Sequence, residues 1–192
     1  MPAAMPAASR SPWRHLPNAI SLLRIALIAP IAWSLLKRDW APSLGLIAVA
    51  GISDGVDGFL ARHCGWKSRL GGVLDAIADK LLLVTCFVLL AWLGVTPAWL
   101  AWVVCGRDAM IAAGALLWRA LVGPIQPQPS LLSKACTLLQ ILYLLDVLVG
   151  RAGWPVLPPA PLAWLVAALC AASWLDYALR WSGRARRAYR AR

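Results

Sequence analysis

Residues 43–93 read SLGLIAVAGISDGVDGFLARHCGWKSRLGGVLDAIADKLLLVTCFVLLAWL, and the reading of this stretch decides the fold. Its two ends are apolar runs close to the length that crosses a bilayer. Its middle carries four of the chain's eight acidic residues: Asp54, Asp57, Asp75 and Asp79. In a soluble domain such acids sit on a wetted surface. Whether these do depends on what surrounds the rest of the chain.

Composition settles the surroundings. Of 192 residues, 61% are hydrophobic and only 14% charged, against about 25% charged in an ordinary soluble domain. Mean hydropathy is +0.69. A core this small cannot hide so much apolar surface, so a water-soluble globule is excluded. Disorder is excluded too, because it requires low hydrophobicity. The chain reads as a small integral membrane protein.

Outward from 43–93, apolar runs of roughly 20 residues recur, near 18–36, 43–62, 72–93, 98–120, 131–149 and 160–181. Turn-forming and charged residues separate them: Lys37-Arg38-Asp39, Gly65-Trp66-Lys67, Gly94 to Pro97, Pro124 to Pro129, and Gly150 to Pro161. Twelve Trp, many near the ends of these runs, suit interfacial anchoring. The predicted fold class is all-α, a polytopic membrane bundle of six transmembrane helices. Residues 1–16 read as an N-terminal tail, 17–181 as the six-helix membrane domain and 182–192 as a basic C-terminal tail.

Nineteen Lys and Arg against eight Asp, with no Glu, give a net charge of +11. In so apolar a chain this excess points to membrane topology and anionic lipid rather than to nucleic acid. Twelve of the nineteen fall in the tails and the 2–3 and 4–5 connections, and three (Lys37, Arg38, Arg151) fall on the opposite side. Positive charge stays on the cytoplasmic side, so both termini are expected there. The remaining four, Arg24, Lys80, Arg107 and Lys134, lie within spans. The five Cys are scattered singly with no CxxC pair and read as reduced packing residues.

The four acids can now be weighed. A carboxylate at bilayer depth costs about 2.5–3.5 kcal/mol, so four left unpaired cost on the order of 10 kcal/mol. Asp54 and Asp57 are spaced i,i+3 and Asp75 and Asp79 i,i+4, so each pair shares a helical face. The two helices are antiparallel neighbours, which brings both pairs to one depth near the cytoplasmic side. Four converging carboxylates repel one another unless a cation neutralises them. Hard oxygen ligands select Mg²⁺, Mn²⁺ or Ca²⁺, and two such ions form the arrangement that clamps a transferring phosphoryl group. Gly51, Gly55, Gly58, Gly71 and Gly72 flank the acids. They allow close helix packing or the approach of a diphosphate. Arg62, one turn beyond Gly58, is suited to bidentate phosphate binding.

The run Asp54-x-x-Asp57-Gly58-x-x-Ala61-Arg62, eight residues, Gly71-x-x-x-Asp75-x-x-x-Asp79 resembles the full signature of the CDP-alcohol phosphatidyltransferases. The six-span layout agrees, so the resemblance covers most of residues 17–181. It implies an all-helical, often dimeric membrane enzyme that displaces CMP from a CDP-linked lipid with an acceptor hydroxyl. Position by position it implies Asp54, Asp57, Asp75 and Asp79 as ligands of two divalent cations, Mg²⁺ or Mn²⁺. Asp79 would also be the base that takes the acceptor's proton. Gly58, Arg62, Ser68 and Gly71, with Asn18 from span 1, would hold the CDP-diacylglycerol. The implied location is the bacterial inner membrane, with the active site facing the cytoplasm.

The signature says little about the acceptor, and the buried cations say more. Arg107 either pairs with its neighbour Asp108 or reaches to a phosphate. If Arg107 and Lys134 both line the cavity, the acceptor is anionic, since a cationic pocket repels choline or ethanolamine. Leu16-Pro17-Asn18-Ala19-Ile20-Ser21-Leu22-Leu23-Arg24 resembles the opening of phosphatidylglycerophosphate synthases. Arg107-Asp108 and Ser133-Lys134-x-x-Thr137-x-x-Gln140 resemble the CMP-forming cardiolipin synthases. Glycerol 3-phosphate is the expected acceptor, as the commoner bacterial role, with phosphatidylglycerol as the alternative. The rival of another class is a small ion-coupled carrier, which would place acids near the midplane on broken helices. Asp146 and Asp176 match no motif.

Overall fold

The computed structural model describes residues 16–63, 69–121, 130–154 and 157–190, with side chains described except at 16–19, 54–63, 69–71, 73, 121 and 181–190. The described residues form six helices and no strand: α1 (Leu16–Leu36), α2 (Trp40–His63), α3 (Arg69–Trp92), α4 (Ala98–Leu121), α5 (Leu131–Arg151) and α6 (Pro159–Arg190). Each expected apolar run is one helix. The exception in length is α6, whose 32 residues extend about 48 Å and carry helix into what was expected to be a basic tail.

Among the described residues, three helices are long and apolar enough to cross a membrane, over Ala98–Ala120, Leu131–Arg151 and Pro159–Arg180. The described parts of α1 and α2 are apolar over Ile20–Leu36 and Trp40–Ser53. In the sequence, Asp54 and Asp57 follow directly on this part of α2. The early part of α3 is interrupted by Asp75, Asp79 and Lys80.

Local chemistry sets the ends of the helices. Between α1 and α2 the chain reverses in three residues, with Arg38 at φ 61°. The turn is tied by Ser34 Oγ and Ser43 Oγ, 2.5 Å apart, both also bonded to Asp39 O at 3.1 and 2.8 Å. α3 is closed by Gly94 at φ 68°, whose neighbours Val95 and Thr96 donate back to Leu90 O. A positive φ of this kind costs glycine little and other residues more. α5 starts on Ser130, whose side chain accepts from Ser133 N.

The apolar core lies at one end of the bundle. It comprises Ile31 and Leu35 late in α1, Phe87 and Leu90 late in α3, Leu100 and Val104 early in α4, Tyr143 and Leu148 late in α5, and Val166 early in α6. Phe87 and Tyr143 stack with ring centroids 6.0 Å apart. The buried polar residues Ser21, Arg24, Arg107, Asp108 and Ser173 lie further toward the other end of these helices. Large apolar side chains such as Trp33, Trp92, Trp102, Leu131 and Leu179 face outward, which is the pattern of a surface solvated by lipid.

Candidate functional site

α3 begins with glycines and then presents Asp75 and Asp79 one helical turn apart. Their carboxylates converge on one nitrogen. Arg24 Nη1 donates to Asp75 Oδ1 at 2.9 Å and to Asp79 Oδ1 at 2.7 Å. The guanidinium is 1% exposed, whereas the two carboxylates are 42% and 46% exposed. A buried cation thus backs two half-exposed acids. Ser21 lies one turn before Arg24 and is also buried.

Behind this pair runs a second polar network. Lys80 Nζ donates to Asp108 Oδ2 at 2.7 Å. Asp108 Oδ1 accepts from Arg107 Nη1 at 2.6 Å. Arg107 Nη2 donates to Ser133 Oγ at 2.6 Å and Ser173 Oγ at 3.0 Å. Because Ser130 caps α5 through Ser133 N, the first turn of α5 is set where Ser133 meets Arg107. Of the two readings of Arg107, the described contacts show the local pair with Asp108. The side chain is 2% exposed and its fork is engaged by three residues.

The predicted residues fall unevenly. Asp75 and Asp79 are brought together as their spacing requires. Among the described residues no third carboxylate, thiol or imidazole joins them to make a metal-ligand set, because Asp54 and Asp57, though within α2, have side chains outside the described residues. The same holds for the side chains of Asn18 in α1 and Arg62 in α2. Gly58 and Gly71 are placed in helices, and Ser68 lies outside the described residues altogether. Lys134 sits exposed in the first turn of α5. Sequence reasoning missed the partners of Arg24 and the two serine partners of Arg107, and Ser173 carries no signal at all.

Residues outside the site have ordinary explanations. Asp176 pairs with Arg180 one turn on, at 2.7 Å. Asp146 Oδ1 accepts from Leu157 N at 3.2 Å, fastening the α5–α6 connection. Cys86, Cys136 and Cys170 are buried free thiols, with the Cys136 and Cys170 sulfurs in contact at 3.4 Å. Cys64 lies outside the described residues.

With this geometry in place, comparison with known proteins is decisive. The family model for CDP-alcohol phosphatidyltransferase matches residues 14–179. The chain belongs to the CDP-alcohol phosphatidyltransferase family. It is 33% identical over 161 residues to a Streptomyces coelicolor cardiolipin synthase (CMP-forming), a match covering 79% of this chain and 74% of that protein. It is 35% identical over 113 residues to the human cardiolipin synthase (CMP-forming), covering 58% of this chain and 37% of the human protein. A chloroplastic CDP-diacylglycerol–glycerol-3-phosphate 3-phosphatidyltransferase of Oryza sativa subsp. japonica is 34% identical over 111 residues, covering 58% and 34%. The matched region is thus little more than a third of the human and rice proteins. Membership of this family sets aside the ion-coupled carrier.

Proposed function

We propose that the chain is a multi-pass membrane enzyme of phospholipid synthesis. It transfers the phosphatidyl group of CDP-diacylglycerol to a glycerol-type hydroxyl and releases CMP. The observation that carries this reading is the pair Asp75 and Asp79, held at one point on α3 within a complete family signature. Six spans, cytoplasmic termini and the boundaries 1–16, 17–181 and 182–192 belong to the same reading, supported by the distribution of twelve cations against three. The proposed location is the bacterial inner membrane with the site facing the cytoplasm.

The residues present suit a divalent cation. Asp75 and Asp79 offer hard carboxylate oxygens that converge on a single cationic nitrogen and are half-exposed. Together with Asp54 and Asp57 they would hold two Mg²⁺ or Mn²⁺ ions. Bound there, the ions would neutralise the diphosphate and the departing CMP. Asp79 accepts the proton of the acceptor hydroxyl as that oxygen attacks phosphorus, a role open to a half-exposed carboxylate. Arg62 binds phosphate oxygens, and Asn18, Gly58, Ser68 and Gly71 shape the CDP-lipid site. Arg24 keeps Asp75 and Asp79 oriented, so alignment does not have to be found anew at each turnover.

In this reading the charge of Lys134, exposed on α5, and that of Arg107, acting from behind its pair with Asp108, favour an acceptor bearing phosphate. Phosphatidylglycerol is the acceptor best supported, because Arg107-Asp108 and Ser133-Lys134-x-x-Thr137-x-x-Gln140 resemble cardiolipin synthases and the Streptomyces relative carries that name. Glycerol 3-phosphate is the second reading, favoured by residues 16–24 and the rice relative. Purified protein in vesicles is to be given CDP-diacylglycerol, metal and each acceptor in turn, and the lipid product identified by mass spectrometry. Cardiolipin supports the first reading and phosphatidylglycerol phosphate the second. No new phospholipid with either rejects both. The proposed homodimer is checked by light scattering in detergent.

A further inference from the structure

Lys80 follows Asp79 directly in α3, but its ammonium is drawn across to α4, where Nζ donates to Asp108 Oδ2 at 2.7 Å. Successive helix positions project about 100° apart, so Lys80 flanks the Asp79 carboxylate and does not face it. From Lys80 the polar chain runs inward through Asp108 and Arg107 to Ser133 and Ser173, joining α3, α4, α5 and α6. Exposure falls along it. The Lys80 side chain is 43% exposed, and those of Asp108 and Arg107 are 7% and 2% exposed.

Two features of this chain point outward to a ligand. An ammonium has three donors, the bond to Asp108 uses one, and the Lys80 side chain stays 43% exposed on the helix that also carries Asp75 and Asp79. The trio Lys80, Asp108 and Arg107 also carries one positive charge net, since one carboxylate is shared by two cations. A buried carboxylate shared in this way holds the lysine at a fixed place, because releasing it would leave Asp108 with a single partner. The result is a positive donor, tied to α4, at the position next to the proposed base on α3.

Either candidate acceptor has matching chemistry. Its reactive hydroxyl and its phosphate sit on the two terminal carbons of one glycerol, so the negative charge lies a fixed span from the oxygen that must lose its proton. We propose that Lys80 binds the acceptor's phosphate and so sets acceptor specificity, with Asp108 and Arg107 as positioning residues that aim it. This inference rests on the phosphatidyltransferase reading and adds a residue that the signature does not contain. Arg107 then contributes through Asp108 and Lys80, which agrees with its burial.

The test is steady-state kinetics of the purified full chain in mixed micelles with Mg²⁺ or Mn²⁺. Each substrate is varied with the other saturating, in parallel arms with phosphatidylglycerol and with glycerol 3-phosphate. In the arm that supports turnover, Lys80→Met should raise the acceptor KM about tenfold or more, the scale of one lost charge-assisted hydrogen bond. The KM for CDP-diacylglycerol should stay within about twofold and kcat within about threefold, because the lost contact is uniform binding to the acceptor alone. Lys80→Arg should restore the acceptor KM to within about threefold, since charge and reach are kept. Asp108→Asn should raise the same KM by a smaller factor. If that variant fails to fold, Lys80→Met still decides, because it leaves the Asp108–Arg107 pair in place. An unchanged acceptor KM in Lys80→Met overturns the inference while the enzyme reading stands. So does a parallel rise in both KM values that Lys80→Arg does not reverse. Wild-type protein that releases no CMP in either arm overturns the phosphatidyltransferase reading and this inference with it.

Discussion

Replacing Arg24 with Met removes a guanidinium that is 1% exposed and bridges Asp75 and Asp79 through Nη1 at 2.9 and 2.7 Å. At an effective dielectric near 20, two unit charges about 4 Å apart attract by roughly 4 kcal/mol. The carboxylates are 42% and 46% exposed, so water screens them and each pair falls toward the surface value of about 1 kcal/mol or less. Removing the buried cation also relieves its desolvation, which offsets part of the loss. The expected net cost without metal is therefore about 1–2 kcal/mol, or roughly 2–4 °C in Tm for each kcal/mol in a chain of this size. A divalent ion bound by the same carboxylates would supply the missing positive charge and stabilise only the folded state. Thermal unfolding in detergent, followed by Trp fluorescence, should show Arg24→Met melting below wild type in EDTA. Saturating Mg²⁺ or Mn²⁺ should close at least half of that gap. A gap that stays equal or widens on adding metal refutes the idea that Arg24 and metal serve the same acids.

Other positions give further tests. Arg107→Lys keeps the charge but cannot reach Asp108, Ser133 and Ser173 with one fork. It should cost on the order of 2 kcal/mol in thermal or denaturant stability, because a buried partner is left unmet. Gly114→Ala places a Cβ 2.5 Å from Tyr177 Oη and 3.1 Å from its Cε1. It also threatens the bond from Tyr177 Oη to Ile111 O. Its expected cost is about 1–3 kcal/mol, and adding Tyr177→Phe should recover part of the loss but not all, since the ring contacts remain. Unchanged melting in Gly114→Ala would show that α4 and α6 do not pack as described.

The helices were legible because lipid imposes long apolar runs, and the breaks at residues 37–39 and 94–97 carry charge or Gly and Pro. The end of α6 was not legible. Hydropathy marks where the bilayer stops, whereas a helix continues until something breaks it, and the Arg- and Ala-rich segment after Trp181 contains only one glycine before Arg190. The pairing of Asp75 with Asp79 followed from i,i+4 spacing alone. Arg24 as their bridge did not, since it is 51 and 55 residues away and meets them only through the rotation of α1 against α3. The same limit hid the choice made by Arg107. Its neighbour Asp108 was visible, but Ser133 and Ser173 come from two other helices, and nothing in the sequence around Ser173 marks a polar contact.

The most direct measurement is CMP release from radiolabelled CDP-diacylglycerol by the purified chain and its Asp79→Asn variant, with metal and with phosphatidylglycerol or glycerol 3-phosphate. Melting curves run in parallel establish that both proteins are folded. The account predicts that wild-type protein releases CMP only when metal and acceptor are both present. Asp79→Asn, folded, should be slower by a factor of about 100 or more, the scale of a lost general base. Release of CMP by Asp79→Asn at the wild-type rate would contradict the assignment of the base, and no release by wild type with either acceptor would contradict the proposed activity.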